Sequence, residues 1–201
     1  MLRADSHTPN IASEVEVTEG DASYPVLVMT PLGEPLGCSG VRLPIHAFCP
    51  IVDTLRYSHE LGLCHIDVCG ENMFAVKRSA CEYDIILNDW ASSMLTSDVD
   101  AAEMFSTHEL YYDLTRKMGP EQDLAALVRA VFVLTQCTFS PAVKNARELD
   151  DVMRSQWSWG LALDRARARD YDSLARFFRT GSCEDASEGV QSGRAVKRAI
   201  G

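Results

Sequence analysis

Two short patterns in this chain carry residue types suited to phosphate and proton chemistry. The first is His65-x-Asp67-x4-Asn72, and the second is Asp89 followed by Trp90 and Ala91. A carboxylate can accept the proton of a hydroxyl nucleophile. A carboxamide and a second carboxylate supply the hard oxygens that magnesium prefers. Such groups need fixed positions, and the residues between them predict how these are set. The apolar run Met73–Val76 and the run Ile85–Leu87 are separated by the polar stretch KRSACEYD. This reads as two short strands joined by a turn. The first strand follows Asn72 and the second delivers Asp89. Upstream, Phe48, Ile51, Val52, Leu55 and His59 recur at helical spacing from Ile45 onward. Gly62 then ends the predicted helix.

The stretch from Leu61 to Ala91 resembles the core of the eukaryotic-type protein kinases. Their catalytic loop reads H-R-D-x-x-x-x-N and their metal motif D-F-G. Here the loop reads His65-Ile66-Asp67-Val68-Cys69-Gly70-Glu71-Asn72, and the metal motif reads Asp89-Trp90-Ala91. The resemblance implies ATP and Mg2+ as cofactors. It implies Asp67 as the proton acceptor or orienting group, with Asn72 completing the catalytic pair. Asn72 and Asp89 would be the metal ligands. Phe74, two residues beyond Asn72, would form a floor under adenine. Three departures weaken the chemistry. Ile66 stands where many kinases carry an Arg that meets an activation-loop phosphate. Cys69 stands where protein-serine kinases carry a Lys on the transferred phosphate, so a cation is missing from the transition state. Ala91 replaces a Gly and restricts the backbone.

Toward the N-terminus, His7-x-Pro9-Asn10-Ile11 precedes the strand-like run Tyr24-Pro25-Val26-Leu27-Val28-Met29, broken by Thr30-Pro31-Leu32-Gly33. By the same resemblance these are the last two small-lobe strands and the hinge. Met29 takes the gatekeeper position, and the backbone of Thr30 and Leu32 faces the adenine edge. A buried strand with a Pro-Gly turn is the plainer alternative. The chain has no G-x-G-x-x-G loop and no V-A-I-K-like strand lysine. The remaining small-lobe strands would lie before Met1, in a longer kinase, or the chemistry they serve would be lost.

Residues 34–44 read as a Gly- and Pro-rich loop or short helix. Residues 92–108 occupy the place of an activation segment, with Ala102 at the position of a pocket Thr. Glu109 falls where the A-P-E glutamate would be, and then needs a buried Arg partner from among Arg165, Arg167 and Arg169. A solvated surface glutamate is the alternative. Gln122–Cys137 is apolar on nearly all sides and predicts a buried helix. In the resemblance this is the central large-lobe helix, whose Asp123 would bond the catalytic-loop backbone. Residues 145–178 predict further helices, and Trp159–Ala166 with Asp170-Tyr171-Asp172 resembles the last helices of casein-kinase-like and fungal-type kinases. Cys64, His65, Asp67, Cys69 and Cys81 could also be read as a metal cluster, but their spacing is poor for structural zinc.

With 201 residues, 46% of them hydrophobic, the chain can bury one core. A formal charge of −10 argues against a nucleic-acid partner. No apolar run reaches the roughly 20 residues that span a bilayer, so no membrane association is expected. The N-terminus lacks a secretory signal pattern, and seven irregularly spaced cysteines predict reduced thiols in an intracellular, cytoplasmic protein. The expected fold is α+β: a mainly helical, protein-kinase-like large lobe with a remnant of the small-lobe sheet. Residues 1–23 would be a polar segment with that remnant, and 24–180 the kinase-like domain. The hinge would lie near 30–33, the large lobe at 34–180 and a disordered tail at 181–201. An active enzyme would meet ATP and a protein substrate carrying a Ser or Thr hydroxyl. A pseudokinase would serve as a binding or scaffold module with a protein partner. A small-molecule kinase shares the same loop layout.

Overall fold

The computed structural model describes residues 10–19, 22–30, 33–39, 42–79, 82–98, 109–136 and 143–183, the first two stretches as backbone alone. Strand β1 (Asn10–Glu19) pairs antiparallel with β2 (Ala22–Thr30), setting Val15 opposite Val26. The second contains the run Tyr24–Met29 expected as a strand, and the first begins at Asn10, within the segment expected to lead into one. Met29 and Thr30 close β2. Leu32 lies outside the described residues, as do Ala102, Cys81 and the tail from residue 184 onward.

The chain re-enters at Gly33 and forms β3 (Glu34–Pro35), then a single helical turn, α1 (Leu36–Ser39). β3 pairs with β5 (Met73–Lys77), and β5 pairs with β6 (Tyr83–Leu87), giving a three-stranded antiparallel sheet. Pro35 lies opposite Phe74, which lies opposite Ile86. A 3-10 turn (Ile45–Phe48) opens α2 (Cys49–Glu60), which carries Pro50 in its first turn, where a missing N–H costs nothing. Gly62, at φ 76°, ends it in the left-handed region that glycine enters without strain. β4 (Leu63–Cys64) pairs with β7 (Met94–Leu95), clamping the ends of the 61–95 stretch together.

The centre of the core is α3 (Pro120–Thr135), in which Leu124, Leu127, Val128 and Val131 are fully buried. Each such side chain contributes about 1.5–3 kcal/mol of burial free energy. The helix starts two residues earlier than its apolar pattern, because Pro120 suits a first turn. α4 (Ala146–Arg154) is capped by Asn145, whose side-chain oxygen accepts from the N–H groups of Arg147 and Glu148. α5 (Trp157–Arg167) packs on α3, and α6 (Tyr171–Thr180) packs on α2 and α5. Edge-to-face rings join them: Phe132 to Trp159 at 5.2 Å and Trp159 to Phe177 at 5.0 Å between centroids. The architecture is α+β, with the helices gathered round α3. Among the described residues no helix is long and apolar enough to cross a membrane.

Candidate active site

Asp123 organises the site. It sits in the first turn of α3, where the helix dipole favours a carboxylate, and it is 1% exposed. Its Oδ2 accepts from the backbone N–H of His65 at 2.6 Å and lies 3.0 Å from His59 Nε2. Its Oδ1 accepts from the backbone N–H of Ile66 at 2.9 Å and from the Tyr112 hydroxyl at 2.9 Å. Burial alone would raise the Asp123 pKa. The His59 hydrogen bond, the electrostatic influence of the His59 and His65 rings and the Ile66 N–H outweigh it, and the carboxyl is held below its ordinary value. The Tyr112 oxygen in turn accepts from Val68 N–H at 2.8 Å, while Tyr171 hydroxyl meets His59 Nδ1 at 2.8 Å.

This network holds a loop that would not adopt its shape unaided. Ile66 has φ 68°, a left-handed conformation that costs a β-branched residue about 1–2 kcal/mol. The bonds from Asp123 to the N–H groups on either side of His65's carbonyl over-determine that backbone.

His65 is fully buried. Burial lowers its pKa, with the charges of Asp123, Asp67 and Asp89 pulling the other way. A neutral ring fits its partners: Nε2–H donates to Asn88 carbonyl at 2.8 Å, and Nδ1 accepts from Asp67 N–H at 3.2 Å. Its face meets the edge of Trp90 at 4.5 Å between centroids, and Trp90 Nε1 donates to Leu87 carbonyl at 3.0 Å. One histidine thus joins the loop carrying Asp67 to the turn carrying Asp89.

The loop's far end is tied to the same turn. Asn72 Nδ2 donates to the Asp67 carbonyl at 2.9 Å and to Asp67 Oδ2 at 2.8 Å. The Asn72 carbonyl accepts from Asn88 N–H at 2.8 Å. Asp89 itself has φ 55° and an exposed carboxylate, a conformation Asp tolerates better than most residues. It precedes the 3-10 turn Trp90–Ser92 without capping it through its side chain. The donor set suits magnesium: with Nδ2 turned to Asp67, Asn72 presents its carboxamide oxygen elsewhere, and Asp89 adds a carboxylate.

Gly37 lies against this loop, its N–H donating to Gly70 carbonyl at 2.9 Å. A Cβ at residue 37 would stand 3.0 Å from the backbone nitrogen of Glu71. Phe74 is half-buried, beside Gly33 and Pro35, so the segment after β2 returns to the strand that follows Asn72. For Met29 and Thr30 the structure gives strand backbone, and Leu32 is outside the described residues.

Cys69 and Cys64 are buried. Burial, reinforced by the charge of Asp67, pushes the Cys69 thiol up to about 12, and burial with Asp123 does the same to Cys64. Both are neutral thiols near pH 7, and a thiol in either protonation state supplies no cation. Cys81 lies outside the described residues, and among the described ones Cys64, His65, Asp67 and Cys69 do not gather as a ligand set. The His59, Cys64 and Asp123 ligand atoms lie within 4.8 Å of one another instead. There Asp123 is engaged by hydrogen-bond donors and Cys64 is protonated, which suits a hydrogen-bonded cluster better than a thiolate metal site.

The expected ion pair of Glu109 does not form with any of its three named arginines. Glu109 is exposed. Arg165 pairs with Asp170, Arg167 with Asp150 and Arg169 with Glu121. The buried guanidinium is Arg129, held by Asp150 at 2.8 and 3.1 Å. Sequence reasoning found Asp123 and its loop contact. It missed Tyr112, Tyr171 and Arg129, and it counted His59 in an apolar stripe. A histidine on such a stripe is itself a signal of a buried polar partner.

No protein-family model matches the chain, and no curated protein matches it. Among solved structures, vaccinia related kinase 3 superposes with a TM-score of 0.59 at 16% sequence identity, covering 86% of this chain. The chain spans 66% of that protein's chain. At this identity the likeness bears on fold alone: the α+β architecture corresponds to a protein-kinase-like large lobe with a small sheet.

Proposed function

We propose that this chain binds Mg-ATP and transfers the γ-phosphoryl group to a Ser or Thr hydroxyl of a protein. The observation that carries this reading is the single hydrogen-bonded scaffold joining Asp67, Asn72 and the turn of Asp89 through His65 and Asn88. Asp67 would accept or orient the proton of the attacking hydroxyl. As that oxygen bonds to the γ-phosphorus, the bond to ADP breaks. Asn72 holds the Asp67 carboxylate in one orientation, so positioning is in place before substrate arrives. Asn72 and Asp89 would hold magnesium, which when bound neutralises charge on the phosphates. Met29, Thr30 and Leu32 would line the adenine pocket above Phe74.

A second reading is a nucleotide-binding or scaffold module without efficient transfer. The buried, neutral Cys69 favours it, because the family's lysine charge is missing there.

Thermal unfolding of the 1–201 chain with and without Mg-ATP tests the site. At a hundred times its dissociation constant, a ligand adds about 2.7 kcal/mol. We expect a rise in midpoint that needs magnesium and vanishes in Asp89→Asn. Phosphoryl transfer to a mixed Ser/Thr peptide pool separates the two readings. Activity lost in Asp67→Ala while the nucleotide shift persists supports the enzyme. A shift without transfer in the unaltered chain supports the module. No shift from a cooperatively unfolding chain overturns the enzyme and nucleotide binding alike, and leaves a scaffold that takes no nucleotide.

A further inference from the structure

On a chain of net charge −10, cations gather where the loop before α3 meets the end of α5. A cavity of about 240 Å3 there is lined by Arg116, Lys117, Glu121, Gln122 and Arg167. At about 30 Å3 per water, it holds several waters or one tetrahedral anion with its shell. Two buried aspartates organise the arginines. Asp113, 6% exposed, is shared by Arg116 at 3.5 Å and Arg147 at 3.3 Å. Asp150, 7% exposed, is shared by Arg129 at 2.8 Å and by Arg167. Each aspartate therefore faces two guanidiniums, and each group keeps one positive charge in excess. Lys117 adds a third cation to the lining. Glu121, the one carboxylate among the described lining residues, is paired with Arg169 at 2.5 Å.

We propose that this pocket binds a phosphate-class dianion, with Arg116, Lys117 and Arg167 as its ligands. Planar guanidiniums match phosphate oxygens in pairs, and an ammonium adds a point charge. A dianion neutralises the excess that the two shared aspartates leave. Arg167 is the anchor: its side chain is 22% exposed, and Asp150 holds it against the buried Arg129. Burial, and after it the guanidiniums of Arg116, Arg129 and Arg154, hold the Arg167 pKa below its ordinary value despite Asp150. Arg clusters of this kind recognise phosphorylated side chains as well as free phosphate. The pocket uses none of Asp67, Asn72 and Asp89, so it stands apart from the nucleotide reading. Glu121 and Gln122 nevertheless open the helix whose Asp123 holds the catalytic loop.

The test uses the full chain and no nucleotide. The unfolding midpoint is followed against inorganic phosphate at pH 7.5, with sodium chloride at matched ionic strength as control. The double variant Arg116→Gln with Lys117→Gln alters two exposed side chains, and its phosphate response is read against its own midpoint in chloride. We expect a saturable rise with phosphate beyond that in chloride, and at least tenfold weaker binding in the double variant. A short phosphoserine peptide of otherwise uncharged sequence, read by fluorescence anisotropy, then identifies the source. Binding at least tenfold tighter than inorganic phosphate assigns a phosphorylated protein segment. Equal or weaker binding assigns the free anion. Phosphate and chloride curves that coincide, or a double variant that binds as the unaltered chain does, overturn the proposal.

Discussion

Asp123 and Asp150 are both buried carboxylates, and they are satisfied in opposite ways. Asp123 accepts from two backbone N–H groups and a tyrosine and meets one histidine. Asp150 faces two guanidiniums, one of them wholly buried. The first carboxylate holds a backbone conformation. The second holds charges. A backbone N–H is removed only by proline, whose φ of about −65° does not fit Ile66 at 68°, whereas a charged pair can be replaced as a unit. The loop region should therefore be intolerant of change at its aspartate, and the arginine region should be open to joint replacement.

The largest effects come from breaking each aspartate. Asp123→Ala leaves His65 N–H, Ile66 N–H and the Tyr112 hydroxyl without their acceptor. At about 1–3 kcal/mol for each buried unsatisfied group, we expect a loss of several kcal/mol in urea unfolding. Asp150→Leu alone strands Arg129, at a cost of about 3–5 kcal/mol. The double variant Arg129→Met with Asp150→Leu should recover at least half of that, since a buried pair can give way to apolar packing. Tyr112→Phe added to Asp123→Ala should recover much less, because the two backbone donors remain. Equal recovery in the two regions would erase the distinction.

A middle-sized effect is acid sensitivity, which belongs to the loop region. The folded His65 pKa is lowered, so the unfolded chain takes up the proton first as pH falls. Its stability contribution is full above about pH 6.5 and declines below that, by up to about 1.4 kcal/mol per pH unit until the folded pKa is reached. Urea unfolding at pH 7.5 and 5.5 should show this loss, and His65→Gln should flatten it. Asp123, also held low, keeps its contribution above about pH 4 and loses it only as pH falls through its folded value, so it leaves this window clear.

The smallest effect is expected at the rim of the arginine region. Arg116→Ala removes a guanidinium that is 53% exposed from an aspartate that Arg147 and Thr115 still contact. The change in unfolding free energy should stay below about 1 kcal/mol. A larger loss would make Arg116 part of the structural cluster rather than its accessible edge.

The legible parts of this protein were those with local causes. The paired strands round KRSACEYD, the stop at Gly62 and the apolar α3 follow from periodicity and from glycine and proline chemistry. Asp123 was legible only through the kinase resemblance, because a carboxylate in a helix's first turn has a sufficient local reason to be there. Glu109 shows the converse: of its two readings, a buried arginine partner or a surface glutamate, it is the exposed one, and none of the three candidate arginines pairs with it. Three arginines near residue 167 have no local feature that says which acid each will meet, and the fold gave them Asp170, Asp150 and Glu121.

The sequence by itself determined which residues bring carboxylate, carboxamide and imidazole groups to the loop and which elements would carry them. Hydrogen-bonding type, backbone preference and apolar period are properties of the residues and their near neighbours. Only the tertiary structure decided that His65 would tie Asp67 to Asn88, that Ile66 would be held in a left-handed conformation, and that four arginines would share two aspartates. Apart from the short steps from His65 to Asp67 and from Asp113 to Arg116, those arrangements join residues 17 to 58 positions apart in the chain. A buried polar group takes its partner from whatever the packing of the helices brings within reach, and that packing is set by the whole core at once.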